Sequence, residues 1–219
     1  IGKPLTHSHS EKFFTEKFAT LQLHADYRNI ELHDLDALRE TATHFQLAGF
    51  NVTIPYKQAI LPFIDVLDPL AASVQAVNCV VIHGSTWYGY NTDVEGFRSA
   101  LLAFIADQRP AALVFGNGGA SQAVQVVLNE LAMPFRVVSR HPGSEQLSYA
   151  AVTESWLETY DLLINTTPVG MYPLVDDYLP IPYAMLGPRH MAYDLIYNPT
   201  KTNFLQRCTQ QGCRTENGY

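Results

Sequence analysis

AALVFGNGGASQAVQVVLNELA, residues 111–132, passes from an unbroken apolar run through a glycine loop into an amphipathic stretch. Five consecutive nonpolar residues before glycine read as a buried strand, and SQAVQVVLNELA reads as a helix. The pattern repeats downstream: FRVVS, DLLIN and MAYDL are short apolar strands with helical segments between them. Strands of this kind alternating with helices predict a parallel sheet covered on both faces, a doubly wound α/β domain of Rossmann type. Within the loop, Gly116 permits a tight turn and Gly118 lets the backbone approach a pyrophosphate closely. Asn117, Gly119 and Ala120 complete the lining, and the helix start offers unpaired N–H groups and a positive dipole end. Ser121 stands where G-x-G-x-x-G/A expects its third small residue. The competing reading is an ordinary strand-to-helix turn; the preceding strand and following helix favour the dinucleotide.

The next strand bears on the choice of cofactor. NAD sites usually place a carboxylate near its end to hold the ribose 2′-hydroxyl. Here FRVVSRH ends in Ser139-Arg140-His141, and the first acidic residue afterwards is Glu145. A carboxylate would repel a 2′-phosphate, whereas Arg140 pairs with one and stacks on adenine. Against the alternative of a plain surface arginine, NADP(H) is the expected cofactor.

Composition narrows the partners. The 219 residues carry a net charge of -7, with 47% hydrophobic and 16% charged residues. That balance suits a globular protein and argues against nucleic acid or anionic lipid as a partner. Cys79, Cys208 and Cys213 form no CxxC pair and no zinc-like spacing, which fits a reducing compartment. No apolar run approaches a membrane span, and no signal peptide is evident.

The first part of the chain reads differently. EKFFTEKFATL is an expected amphipathic helix, ADYRNIELH a short strand, and Asp34 the N-cap of a helix carrying Leu35, Leu38, Ala42 and Phe45. GFNVTI is a further strand, residues 58–76 are expected to be helical despite Pro62 and Pro69, and VNCVVIHGSTWYGYN is a hairpin turning at residues 83–86. A longer helix is expected from Thr92, so the expected domains are 1–93, for substrate and catalysis, and 94–219, for the cofactor.

In that first part, GFNVTIPYK holds Lys57, the one Lys or Arg between Arg39 and Arg98. It is a solvated charge, a point charge for an anion, or a proton carrier. His7-Ser8-His9-Ser10 lacks the carboxylates or cysteines a metal site would add, so no metal is expected. In an extended loop Ser8 and Ser10 would point the same way, as would Asn51 and Thr53. Asp93 falls in a first helical turn, where a carboxylate also serves as a cap. With Asn78 these residues suggest a hydrogen-bonding pocket for a small polyhydroxylated ligand.

HSHS, GFNVTIPYK, AVN, GYNTDVEGF, GNGGAS, NTTPVGM and YDLIYNPTKT resemble, in identity and order, the shikimate dehydrogenase family. The resemblance runs from Ile1 to Gly218. It implies NADPH-dependent reduction of 3-dehydroshikimate to shikimate, in the cytoplasmic route to aromatic amino acids, by a monomer or homodimer. Carried over by motif, Lys57 and Asp93 would form the catalytic pair. Ser8 and Ser10 would bind the substrate carboxylate; Asn51, Thr53, Asn78 and Asp93 would hold ring hydroxyls, with Tyr197 nearby. Gly116, Asn117, Gly118, Gly119 and Ala120 would line the pyrophosphate, and Ser139 and Arg140 the 2′-phosphate. Asn165, Thr166, Gly170 and Met171 match the nicotinamide side, and Gly218 joins the cofactor set. The family usually has Asn-Arg-Thr at residues 139–141. It also begins earlier and continues past Gly218 into helices that supply a substrate-binding glutamine. Alternatives are a quinate/shikimate dehydrogenase of broader specificity and a non-catalytic ligand-sensing module on the same fold.

Overall fold

The computed structural model describes residues 1–5, 8 and 10–218. The chain divides into two compact units, Ile1–Thr92 and Asp93–Tyr219.

The first unit contains α1 (Ser10–Thr20), α2 (Leu38–His44), β1 (Gly49–Asn51), α3 (Tyr56–Ala59), β2 (Val66–Leu67), α4 (Pro69–Val74), β3 (Cys79–His83) and β4 (Thr86–Tyr90). Its four-stranded sheet runs β1-β3-β4-β2; β1 and β4 lie antiparallel to β3, and β2 lies parallel to β4. The hairpin forms as expected, with His83 opposite Thr86 across Gly84-Ser85. Leu38, Ile60, Ala71, Val77 and Val80 fill the core, and Phe50 meets Trp87 edge-on.

Four expectations for this unit change. Residues 25–33 form no strand; Glu31 makes a single parallel bridge to Gly2, and its carboxylate accepts the Leu5 N–H. α2 begins at Leu38, because Asp34 Oδ1 accepts the Asp36 N–H (3.0 Å) in a turn ahead of the helix. Leu35 still joins the core, while Phe45, past the helix end, is exposed. The 58–76 segment is not one helix. Pro62 sits in a 3-10 turn, Leu61–Phe63, and Pro69 opens α4, where Asp68 caps the Leu70 N–H (2.9 Å). Proline has no N–H for a helix interior but suits a first turn, so the helix is cut and Val66–Leu67 is released to the sheet. α1 forms but buries no residue; Phe14 instead stacks on Tyr27 at 4.7 Å.

The second unit contains α5 (Asp93–Ile105), β5 (Ala112–Phe115), α6 (Gly119–Glu130), β6 (Phe135–Ser139), β7 (Leu147–Ser148), α7 (Glu154–Thr159), β8 (Leu162–Asn165), β9 (Met191–Asp194), α8 (Asn203–Gln210) and β10 (Arg214–Glu216). All six strands are parallel in the order β10-β9-β8-β5-β6-β7. Every residue of β5, β8 and β9 is buried, which is why these strands read as continuous apolar runs. α5 buries Val94, Phe97, Leu101, Phe104 and Ile105 at helical spacing, with Leu102 only half-buried. Cys208 and Cys213 are buried free thiols and Cys79 is half-buried. Among the described residues no helix is long and apolar enough to cross a membrane.

Candidate active site

In the first unit, backbone hydrogen bonds gather the polar residues around one end of β1. Asn51 is the register partner of Cys79, and the Val52 N–H donates to the Asn78 carbonyl (2.9 Å). The Thr53 carbonyl accepts the Tyr56 N–H (2.9 Å), so the chain turns into α3 immediately after Pro55. The Lys57 carbonyl accepts the Val77 N–H (2.7 Å), which ties the lysine's backbone to the segment leading into Asn78. The buried Tyr56 hydroxyl donates to the Leu32 carbonyl (2.7 Å) and anchors the same turn from behind. Lys57 and Asn51 are half-buried and Thr53 is exposed. Asn51, Thr53, Lys57 and Asn78 are therefore neighbours, held by main-chain bonds that leave their side chains out of the ladder.

Asn78 has a second task. Its side-chain oxygen accepts the Thr92 N–H (2.9 Å) and its amide donates to the Thr92 hydroxyl (3.0 Å). That fixes the last residue before Asp93, which opens α5 in the second unit with Glu95 beside it in the first turn. Asn91, buried, donates to the Ala76 carbonyl (2.9 Å) and supports the same crossing of chains. The Ser8 hydroxyl accepts the Ser10 N–H at 3.4 Å, at the start of α1. The Ser10 hydroxyl meets the Tyr27 phenol, and burial, followed by the nearby Cys79 thiol and Glu11, holds that phenol above its ordinary range. His7 and His9 lie outside the described residues.

In the second unit, parallel strands put all their C-terminal ends on one edge, where open α/β sheets bind ligands. The chain leaves β5 toward β6 and β7, then returns to β8, β9 and β10 on its other side. Gly116 follows β5 at that reversal with φ 115°, and a Cβ there would come within 2.5 Å of the Thr166 hydroxyl. That hydroxyl in turn donates to the Phe115 carbonyl (2.7 Å), so the glycine loop and the segment after β8 are pressed together. Gly118 is the residue before α6 and supplies no side-chain cap. A Cβ on Gly118 would meet nothing within 4 Å, so open space adjoins the start of a twelve-residue helix. Asn117 is exposed beside it, with Gly119 and Ala120 in the first turn of α6. A diphosphate fits this cradle: backbone N–H groups and the helix dipole face a space that any larger side chain would fill.

The end of β6 adds a cation. The buried Ser139 hydroxyl accepts the His141 N–H (3.2 Å) and turns the chain, leaving Arg140 exposed. Among the described residues no carboxylate pairs with Arg140. Gly170 (φ 88°) and Met171 lie in the loop after β8, and Tyr197 in the loop after β9, with Met171 and Tyr197 exposed. Gly218 follows β10; its N–H donates to the Ile196 carbonyl (3.3 Å), and a Cβ there would collide with the Leu195 carbonyl.

Asn165 is placed unlike the others. It is fully buried, and its side chain bonds Asp194, the Val169 carbonyl and Thr167. Asp194 and Thr202, also fully buried, complete that network and were not singled out from the sequence. The signal was present in YDLIYNPTKT, an acid at the end of an apolar strand with a threonine eight residues later.

Comparison with known proteins converges on one family. Residues 1–80 match the family described as the shikimate dehydrogenase substrate binding domain. The shikimate dehydrogenase (NADP(+)) of Shouchella clausii is 37% identical, over all of this chain and 85% of its own length. That of Desulforamulus reducens is 34% identical over all of this chain and 82% of its own. The crystal structure of shikimate 5-dehydrogenase from Thermus thermophilus, in complex with NADP(H) and shikimate, superposes with a TM-score of 0.85 at 30% identity. It covers 99% of this chain and 85% of that one. With the parallel sheet, the glycine cradle and the Asn51–Lys57 turn in place, this chain belongs to the NADP-dependent shikimate dehydrogenases, a family of oxidoreductases.

Proposed function

We propose that the chain interconverts 3-dehydroshikimate and shikimate with NADP(H), Lys57 and Asp93 acting as the acid–base pair. The observation that carries this reading is the grouping of Asn51, Thr53, Lys57 and Asn78 by the bonds Val52 N–H to Asn78 and Val77 N–H to Lys57. Three neutral hydrogen-bonding side chains and one ammonium suit a ring bearing hydroxyls and one reacting oxygen.

NADPH, when bound, supplies the hydride. As the carbonyl becomes an alkoxide, negative charge grows on its oxygen, and a donor aimed at that oxygen lowers the barrier. Lys57 Nζ gives its proton to the oxygen; in the reverse direction the neutral amine takes the proton from the hydroxyl. Asp93 orients the ammonium and favours its charged form. Asn51, Thr53 and Asn78 hold the ring hydroxyls, and Ser8 and Ser10 the carboxylate. Gly116, Asn117, Gly118, Gly119 and Ala120 hold the diphosphate through backbone groups, while Ser139 shapes the turn from which Arg140 meets the 2′-phosphate. Thr166, Gly170, Met171 and Gly218 border the nicotinamide end, with Asn165 behind them. The enzyme works in the cytoplasm on a small-molecule substrate, as a monomer or homodimer, and takes no nucleic acid as a partner.

The test is spectrophotometric: NADPH formation by the purified protein with shikimate, then with quinate, then with NAD replacing NADP. Turnover of shikimate with NADP above the other combinations is expected. Equal rates on quinate would broaden the specificity, and no turnover on either substrate would favour a ligand-sensing module.

A further inference from the structure

Asp194 ends β9 with no exposed surface, and no cation pairs with it among the described residues. Its Oδ1 accepts the Asn165 side-chain amide (3.0 Å) and the Ile196 N–H (3.0 Å). Its Oδ2 accepts the Thr202 hydroxyl (2.6 Å). The three donors come from three places: the end of β8, the start of the loop after β9, and the end of that loop. Thr202 also caps α8 by accepting the Leu205 N–H (3.4 Å).

Burying a carboxylate without a cation is expensive, and an apolar residue would fill the position at lower cost. Burial pushes the Asp194 carboxyl up to about 6 even though the Thr202, Ile196 and Asn165 donors pull it down. What a carboxylate offers here is acceptor capacity on two oxygens, enough to join three chain segments at one point. Asn165, its register partner across β8 and β9, fastens the other loop: its oxygen accepts the Thr167 N–H (2.9 Å) and hydroxyl (2.7 Å). The two side chains thus link the segment leading to Gly170 and Met171 with the loop that carries Tyr197.

We propose that Asp194 is a positioning residue for the reaction, clamping both ends of the 195–202 loop so that Tyr197 is presented beside the segment at residues 166–171. This rests on the functional reading above, together with the family resemblance that implies Tyr197 lies near the substrate. Asp194 touches neither substrate nor cofactor in this scheme and acts through Tyr197.

The experiment compares wild type, Asp194→Asn, Tyr197→Phe and the double variant, with hydrogen exchange and steady-state kinetics on shikimate and NADP(+). Asp194→Asn is expected to speed exchange of the Ile196 amide and its loop and to lower kcat/KM about 10- to 100-fold, as a small misplacement does. In the Tyr197→Phe background the same substitution should add little, because the two residues act as a unit. Thr202→Val removes one donor and should reproduce part of the loss, whereas Thr202→Ser, keeping the hydroxyl, should recover most of it; this pair serves if Asp194→Asn fails to fold. Multiplicative losses in the double variant, unchanged exchange in the loop, or equal losses in both Thr202 variants would overturn the clamp. A wild-type protein inactive on shikimate would instead overturn the functional reading, a failure told apart by having no wild-type rate to lose.

Discussion

The two units of this chain present their chemistry in opposite ways. In the first, main-chain hydrogen bonds hold β1, α3 and β3 together and group Asn51, Thr53 and Lys57, the side chains proposed to recognise the substrate. In the second, the side chains at the ends of β8 and β9 turn inward: Asn165 and Asp194 are buried and bonded to each other, and Asp194 also to the buried Thr202 that caps α8. What is exposed there is the main chain at Gly118, before α6, and, after β6, Arg140. The difference matches the ligands proposed for the two units. Telling one polyol ring from another needs distinct donors and acceptors at fixed points, which only side chains provide. Gripping a diphosphate needs several identical N–H groups close together, which a helix start provides without them.

Substitutions can break this contrast, and the largest stability effect is expected at Gly116. Gly116→Ala combines a strained φ of 115° with a Cβ 2.5 Å from the Thr166 hydroxyl. A loss of roughly 2–5 kcal/mol is expected in chemical denaturation, from backbone strain and overpacking together. Gly118→Val is the sharpening control: its side chain enters open space, so stability should hold while NADP(+) binding weakens. If both glycines behaved alike, the second unit would not be separating fold from grip.

Arg140→Ala should raise the KM for NADP(+) roughly 10- to 100-fold, the worth of a charge-assisted hydrogen bond, and leave the KM for NAD nearly unchanged. An equal loss with both cofactors would move Arg140 from the 2′-phosphate to the shared part of the dinucleotide.

A smaller effect concerns the buried side of the contrast. The Asp194 carboxyl titrates at about 6 in the folded chain against an ordinary 3.8, with burial as the main cause. The folded state therefore holds this proton more tightly than the unfolded one. The group's contribution is fully present below pH 3.8 and is lost as pH rises through about 6. Subtracting the pH–stability profile of Asp194→Asn from that of wild type should leave a decline on the order of 2 kcal/mol across that window. A flat difference would mean the three donors offset burial, and a rise with pH would mean they outweigh it.

The same contrast explains how much the sequence could reveal. β5, β8 and β9 were legible because strands buried on both faces read as apolar runs, and the loop at Gly116–Ala120 announced itself by its glycines. The hairpin at residues 79–90 was legible from its turn. Residues 58–76 were misread because apolar spacing survives on both sides of Pro62 and Pro69, while the prolines decide where a helix must stop. ADYRNIELH has strand-like composition, yet Glu31 spends its side chain on Leu5, and the ladder never extends past one bridge. In the site, Lys57 stood out through its isolation among neutral residues. Asp194 showed only as an acid ending an apolar strand with a threonine eight residues on, and their meeting depends on how the 195–202 loop closes.

The division between the units is tested most directly by one substitution, Lys57→Ala, assayed at saturating shikimate and by titration with NADP(+). Turnover should fall roughly 10²- to 10⁴-fold, the usual worth of a positioned proton carrier, while NADP(+) affinity stays at the wild-type value. Retained turnover with a raised KM for shikimate would reduce Lys57 to a binding residue and contradict its role in proton transfer.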